Sequence, residues 1–152
     1  MMSFSGVALS FEQRIWGRFS GVLRWSQLDA LWARVRSESS CGWYVYDLGA
    51  LPPERPASTE ELIAFLKRVD RHLRREHEHD YCGIVYVDDL HEPSLIKIYD
   101  PGNLGAVCGT SRSRVLPRWV MSRMRPSPLR ECVAAKLPPG KWWQRLFRAS
   151  SG

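Results

Sequence analysis

The stretch Tyr81-Cys-Gly-Ile-Val-Tyr-Val-Asp-Asp-Leu-His-Glu-Pro-Ser-Leu-Ile-Lys-Ile-Tyr-Asp-Pro101 decides the fold. β-Branched and aromatic residues fill Cys82–Val87 and Leu95–Tyr99, which is the composition that strands prefer, and a polar connection separates the two runs. In the second run Ile96 and Ile98 share one face, the period of two expected of a half-buried strand. The stretch therefore predicts two β-strands joined in a hairpin.

A strand and a long helix precede this hairpin. Trp43–Leu48 has a strand-like composition, and Ser58 with Glu61 forms the capping box that opens a helix. The apolar seam of that helix contains Leu62, Phe65, Leu66, Val69 and Leu73, and its far face carries Lys67, Arg68, Arg71, Arg74 and Arg75. Strand, helix and strand in this order predict a right-handed βαβ crossover, with Trp43–Leu48 parallel to Cys82–Val87.

Further elements are predicted on both sides. Apolar residues at helical spacing predict an amphipathic helix over Ser26–Arg36, with Ser26 as its N-cap. Near the N-terminus, Ser10 and Gln13 fit a capping box, while Ser3–Phe11 fits an edge strand equally well. Downstream, Leu116–Arg125 is predicted to contain a short helix with a proline at its start, where that residue is tolerated.

Together these elements predict an α+β fold, with α/β as the alternative. The expected architecture is a small mixed β-sheet of three or four strands, built from the βαβ crossover and the β-hairpin and packed by amphipathic helices. Residues 1–137 are predicted to form a single α+β domain, and residues 138–152 a basic, aromatic C-terminal segment.

The composition excludes several classes of protein. With 44% hydrophobic residues, the 152-residue chain can bury a core of its own. It has no run of 18 apolar residues, so we expect no transmembrane segment, and its first residues lack the pattern of a signal peptide. The four cysteines include no CxxC pair, which favours free thiols in a reducing compartment and a cytoplasmic location; a disulfide is the alternative.

Charge is distributed unevenly along the chain. Residues 1–111 hold 12 Lys and Arg against 15 Asp and Glu, whereas residues 112–152 hold 10 against one, Glu131. The net charge of +6 therefore comes from the C-terminal part. This asymmetry predicts an anionic partner for the basic part, although that part would also fit an acidic face of its own molecule.

The basic part combines arginine with aromatic residues. Its eight Arg and two Lys suit bidentate contacts to carboxylates or phosphates, and its paired tryptophans suit insertion into a partner groove. An acidic protein surface is the favoured partner, with nucleic acid and a membrane surface as alternatives. We expect the partner-binding residues to be Arg118, Arg123, Arg125, Lys141, Trp142, Trp143, Arg145, Phe147 and Arg148.

The segment Gly102–Arg114 offers an enzymatic alternative. Cys108 and Arg114 have the C-x5-R spacing of a phosphatase-type loop, in which backbone amides and the arginine bind phosphate and activate the thiol. In that interpretation Cys108 is the nucleophile, Arg114 the phosphate clamp and Asp88 the acid. Val107 stands where a histidine is usual, so a surface turn with a buried cysteine is preferred. An anion-binding loop without chemistry would use Gly105, Gly109, Arg112 and Arg114.

Histidines and aspartates provide two further candidate sites. His77 and His79 cluster where the long helix ends, and a solvated helix end is preferred over a metal site because their spacing fits zinc poorly. Asp47, Asp88 and Asp100 each end a strand, and the predicted parallel pairing would place the first two at one end of the strands and Asp100 at the other. Such a carboxylate pair could hold a divalent cation or act as acid and base, but aspartate at a strand end is preferred as ordinary turn chemistry. No nucleotide-binding fingerprint is present, and no cofactor is expected.

The sequence therefore predicts a small cytoplasmic accessory or adaptor protein. It would bind an acidic macromolecule through its basic, tryptophan-containing C-terminal region. A small Cys-dependent or anion-handling enzyme that uses Gly102–Arg114 is the alternative, and nucleic-acid binding comes third.

Overall fold

A five-stranded antiparallel β-sheet organises the residues that the computed structural model describes, which are 9–77, 79–101 and 116–129. Within these ranges the helices are α1 (Phe11–Ile15), α2 (Trp25–Ser37) and α3 (Thr59–Glu76). The strands are β1 (Ser20–Val22), β2 (Tyr44–Asp47), β3 (Val85–Val87), β4 (Leu95–Ile98) and β5 (Trp119–Ser122). No helix in this part of the chain is long and apolar enough to cross a membrane. The predicted α+β class is confirmed.

The strands lie in the spatial order β1-β3-β4-β5-β2, and every described pairing is antiparallel. The hairpin of β3 and β4 has Val85 opposite Ile98 and Val87 opposite Ile96, as the alternation of side chains requires. Two parts of the predicted architecture are wrong. The described residues form five strands rather than three or four, and the sheet is antiparallel rather than mixed.

The predicted βαβ crossover is also wrong. β2 pairs with β5, and two antiparallel strands, β4 and β5, separate it from β3, so β2 and β3 run in opposite directions. The order strand, helix, strand along the chain does not fix strand direction when the helix connects strands that are not neighbours. Here the partner of β2 comes from a segment far downstream, where the sequence predicted no strand.

β5 occupies the place where a short helix was predicted. All four of its residues, Trp119 to Ser122, are buried, and the strand pairs with β4 on one side and β2 on the other. A strand that is covered on both faces is mostly apolar and shows no period of two, so a short run such as Trp119–Met121 resembles a buried helical turn. The preceding Pro117 lies just outside the strand, and the Arg118 N–H donates to the Ile98 carbonyl at 2.9 Å.

The helix starts follow local sequence signals. At α3 the Ser58 N–H donates to Glu61 Oε1 at 2.8 Å and the Glu61 N–H donates to Ser58 Oγ at 3.1 Å, which confirms the capping box. The same reciprocal pair joins Ser10 and Gln13, so Phe11 belongs to α1 and not to an edge strand. At α2 the N-cap is Arg24 rather than the predicted Ser26.

Two hydrophobic cores lie on opposite faces of the sheet. α2 and α3 cover one face, where their apolar seams meet Val45, Ile96 and Ile98. α1 covers the other face, where its two buried side chains, Phe11 and Ile15, pack with Tyr46, Leu95 and Val120. β4 is therefore buried on both faces and not half-buried as predicted.

Lys97 of β4 lies in the second core and is 8% exposed. Its ammonium donates a hydrogen bond to the Ile15 carbonyl at 3.0 Å and lies 4.0 Å from the centroid of the Phe19 ring and 5.5 Å from that of Trp16. A buried ammonium is tolerated only when such contacts replace its hydration. Lys97 thus stabilises the contact between β4 and the end of α1.

Glu61 connects the start of α3 to the preceding loop and is 6% exposed. Besides the Ser58 N–H, its carboxylate accepts hydrogen bonds from both terminal guanidinium nitrogens of Arg55, each at 3.1 Å. Burial alone would raise the pKa of the Glu61 carboxyl, but the hydrogen bonds from Arg55 and Ser58 and the positive charge of Arg55 outweigh burial, so the pKa is lowered.

We expect Glu61→Gln to lower the free energy of unfolding at pH 7 by about 1 kcal/mol, since the amide keeps the Ser58 bond but loses the charged contact to half-exposed Arg55. Because folding lowers the pKa of the Glu61 carboxyl from its ordinary value of 4.5, the carboxylate stabilises the fold at pH values above 4.5. This contribution is lost as the pH falls through the lower pKa of the folded state. Urea unfolding should therefore show the wild type and the variant converging below about pH 4.5. Exposed Glu60→Gln is the matched control, and a constant Glu61→Gln deficit down to about pH 3 would contradict the expectation.

Candidate functional site

The predicted partner-binding residues fall into two groups. Arg118, Arg123 and Arg125 belong to the described part of the chain. The other members lie outside the described residues, as do the residues of the predicted anion-binding and phosphatase-type loop; they are Lys141, Trp142, Trp143, Arg145, Phe147, Arg148, Gly105, Cys108, Gly109, Arg112 and Arg114.

Arg118 is buried and forms an ion pair with Asp47. Its Nε lies 3.2 Å from Asp47 Oδ1 and its Nη2 lies 3.5 Å from Asp47 Oδ2, so the guanidinium faces the carboxylate with two nitrogens. The two residues are only 6% and 9% exposed. The structure thus places Arg118 in the interior, where it joins β5 to β2 and is not accessible as a surface contact.

Arg123 and Arg125 follow β5 and are exposed. The Arg123 backbone N–H donates to the Ser94 carbonyl at 3.0 Å, which fixes the start of this segment against β4. The Arg123 guanidinium carbon lies 6.0 Å from the centroid of the Trp43 ring, at the limit of a cation–π contact. These two arginines remain available to an anionic partner.

Asp88, the predicted catalytic acid, is engaged within the β3–β4 connection. Its carboxylate accepts hydrogen bonds from the Ser94 hydroxyl, from the Ser94 N–H at 3.0 Å and from the Leu95 N–H at 3.1 Å. The neighbouring Asp89 accepts from the His91 and Glu92 N–H groups, and these backbone bonds lower the pKa of its carboxyl. Both aspartates therefore organise the turn.

The predicted placement of the strand-end aspartates is wrong, because it depended on a parallel pairing. In the antiparallel sheet Asp47, opposite Trp119, lies at the same end of the strands as Asp100. Asp88 lies at the other end of the strands. At the first of these ends Asp100 Oδ1 lies 3.1 Å from His72 Nε2, and the His72 ring packs edge-on to Trp119 with 5.8 Å between centroids. Sequence reasoning missed this His–Asp pair because its members come from a helix and a strand end that only the fold brings together.

His77 and His79, the weak metal candidates, are adjacent, with 4.5 Å between their ring centroids. In the described ranges no group of three or more His, Cys, Asp or Glu side chains is arranged to hold a metal ion. The two histidines instead line an open cleft of about 270 Å³ together with Trp25, Arg74 and Asp80. The Trp25 indole N–H donates to the His79 carbonyl at 3.0 Å. This bond stabilises the contact between α2 and the segment that follows α3.

Arg74, a cation of the predicted basic face, contacts α2. Its Nε donates to both carboxylate oxygens of Asp70 at 3.0 Å, and its Nη2 lies 2.6 Å from Asp29 Oδ1. Its guanidinium also lies over the Trp25 ring at 4.9 Å. Two carboxylates and a π-face therefore neutralise Arg74, which stabilises the contact between α2 and α3.

The other cations of that face remain at the surface. Lys67, Arg68, Arg71 and Arg75 are all exposed on the side of α3 that points away from its buried seam. Asp70 does not offset them, because its carboxylate is held by Arg74 and by the Trp32 indole N–H, which donates at 3.1 Å. From Lys67 to Arg75, α3 thus presents a basic stretch about 12 Å long, just over two helical turns.

Overall charge follows the same division as the structure. The described residues contain 15 Lys and Arg and 14 Asp and Glu, whereas the remaining residues contain 7 and 2. The described residues therefore carry almost no net charge, and most of the excess positive charge of the chain belongs to the other residues.

Comparison with known proteins adds no relative. No protein-family model, curated protein or solved structure matches this chain. Any functional proposal therefore depends on the charges, burial and contacts of the chain itself.

Proposed function

We propose that the protein is a small cytoplasmic accessory or adaptor protein that binds an acidic macromolecular partner through its basic, tryptophan-containing C-terminal region. The observation that carries this proposal is the charge division along the chain: residues 1–111 hold 12 Lys and Arg against 15 Asp and Glu, while residues 112–152 hold 10 against one. Such an excess of cations favours association with an anionic surface.

The residue types support a protein partner. Eight of the ten cations in residues 112–152 are arginines, whose planar fork binds carboxylates with two hydrogen bonds. Trp142, Trp143 and Phe147 add large aromatic side chains, and Trp together with Arg is typical of the residues that dominate binding energy at protein interfaces. Exposed Arg123 and Arg125 extend the same chemistry onto the fold.

An affinity capture with matched baits tests the proposal. The full chain, a chain ending at Gly140 and the double variant Trp142→Ala/Trp143→Ala would each be immobilised, and the proteins retained would be identified by mass spectrometry. We expect an acidic protein that the full chain retains and that both altered baits lose. Circular dichroism should show that the fold is unchanged. Equal retention by all three baits, or retention of nucleic acid alone, would contradict the proposal.

A Cys-dependent enzyme is the second candidate, and one observation favours it. Ile98 and Trp119 lie opposite each other in the register of β4 and β5. The connection from β4 to β5, which contains Cys108 in the sequence, therefore begins and ends at the same end of the strands as the His72–Asp100 pair. A histidine oriented by a carboxylate is the usual activator of a cysteine nucleophile. In this version Asp100 orients His72, His72 activates the thiol, and Asp88, which the β3–β4 turn already uses, has no role. Hydrolysis of p-nitrophenyl phosphate that disappears in both Cys108→Ser and His72→Ala would support it, and wild-type inactivity would count against it.

A further inference from the structure

The exposed cations of α3 form a regular row. Lys67, Arg71 and Arg75 are spaced four residues apart, so they lie on one line along the helix at intervals of about 6 Å. We refer to these three residues as the α3 basic row. They lie opposite the seam of Leu62, Phe65, Leu66, Val69 and Leu73, which the core buries completely.

The row is not explained by the stability of the helix. Like charges four residues apart destabilise a helix by about 0.2–0.5 kcal/mol per pair, and the row contains two such pairs. Among the described residues neither Lys67 nor Arg71 has an ion-pair partner, and Arg75 meets only the exposed carboxylate of Glu76 at 3.3 Å. A row that costs stability, and in which only Arg75 meets a carboxylate among the described residues, has the character of a binding surface.

The ends of the row limit the length of its ligand. Glu60 precedes it and Glu76 follows it, so the positive stretch is only about 12 Å long. A nucleic-acid backbone extends past both acids and would be repelled there. The exposed large hydrophobic side chains of the described residues are Leu9, Leu23, Leu51, Tyr81 and Leu90, and none of them lies on α3 to stack a base.

We infer that the α3 basic row binds an acidic helical segment of a protein partner. A helix with Glu or Asp at every fourth position presents carboxylates at the same interval of about 6 Å, so three ion pairs form when the two helices lie side by side. This inference rests on the proposed function, since it names the partner class and adds a second contact on the fold itself.

The test measures fluorescence anisotropy with a labelled acidic peptide of about 18 residues that has Glu at every fourth position on an alanine-rich helix. A second peptide has the same composition with its glutamates spread around the helix. The protein variants are Lys67→Gln/Arg71→Gln/Arg75→Gln and, as a control of equal charge, Arg18→Gln/Arg24→Gln/Arg36→Gln, whose residues are exposed elsewhere. Glutamine is a good helix former, so α3 should remain folded, and circular dichroism checks this.

We expect the α3 variant to bind the patterned peptide about tenfold more weakly than wild type, with a shallower dependence on salt, because three exposed ion pairs are lost. The control variant should change the affinity by no more than about twofold, and the rearranged peptide should bind as weakly as the α3 variant does. Equal losses in the two variants, or no binding of the patterned peptide by wild type, would overturn the inference. A duplex oligonucleotide that depends on the row more strongly than the peptide does would also overturn it.

A chain ending at Gly140 separates the inference from the proposed function. If this chain loses the peptide while the α3 variant binds like wild type, the inference fails and the proposed function stands. If the α3 variant loses the peptide while the shortened chain keeps it, the inference stands, and the affinity capture decides the proposed role of the C-terminal region separately.

Discussion

Replacing Arg118 with alanine is expected to lower the free energy of unfolding by about 3–5 kcal/mol. The substitution leaves the Asp47 carboxylate, 9% exposed, in the interior without the guanidinium that faces it at 3.2 and 3.5 Å. The Gly49 N–H still donates to Asp47 Oδ1 at 2.9 Å, but it supplies no full positive charge, and removal of one partner of a buried ion pair is damaging for this reason. Urea unfolding at neutral pH measures the effect directly.

Two controls separate the buried pair from general effects at this position. Arg125→Ala removes an exposed arginine from the same part of the chain and should change the free energy of unfolding by less than about 0.5 kcal/mol. The double variant Asp47→Asn/Arg118→Met removes both charges and should be more stable than Arg118→Ala. An Arg118→Ala protein as stable as Arg125→Ala would show that Asp47 carries no unpaired charge in the interior.

Trp119→Ala is expected to have an effect of similar size, about 3–5 kcal/mol. The indole is 3% exposed and lies edge-on to the rings of Phe65 and His72, with centroids 6.4 and 5.8 Å away. Its removal opens a cavity between α3 and β5, the strand that pairs with β4 on one side and with β2 on the other. The midpoint of urea unfolding reports the loss.

Trp25→Ala serves as the comparison, because that indole is only partly buried and packs against Arg74 at the surface. We expect it to cost about 1–2 kcal/mol, clearly less than Trp119→Ala. Trp119→Phe should recover part of the loss, since phenylalanine refills some of the volume. A Trp119→Ala protein no less stable than Trp25→Ala would be inconsistent with β5 as a packed central strand.

What the sequence predicted correctly depends on neighbours along the chain. The capping boxes of Ser10 and Ser58, the apolar seam of α3 and the β3–β4 hairpin are decided within a few residues, and each is confirmed. The direction of β2 is decided by β5, which lies far downstream. The residues Trp119 to Ser122 give no periodicity that separates a buried strand from a helical turn.

The same distinction applies to the functional residues. The basic face of α3 follows from helical spacing alone, so the sequence identified its members. It did not show that Arg74 binds Asp29 of α2 as well as Asp70 of its own helix. It also did not show that Arg118 meets Asp47, because that pair exists only when β2 and β5 run antiparallel.

The interior position of β5, the last described strand in the chain, has a consequence for the order in which the sheet can form. α1, β1, α2, β2 and α3 all precede β3 and β4 in the chain, and β5 follows them, so β2 lacks its pairing strand while β1, β3 and β4 can already form a three-stranded antiparallel sheet. Until Trp119–Ser122 arrives, both β2 and β4 present open edges, which are surfaces that recruit other unfolded chains. The four residues of β5 therefore join β2 to the sheet of β1, β3 and β4 and cover one open edge of each.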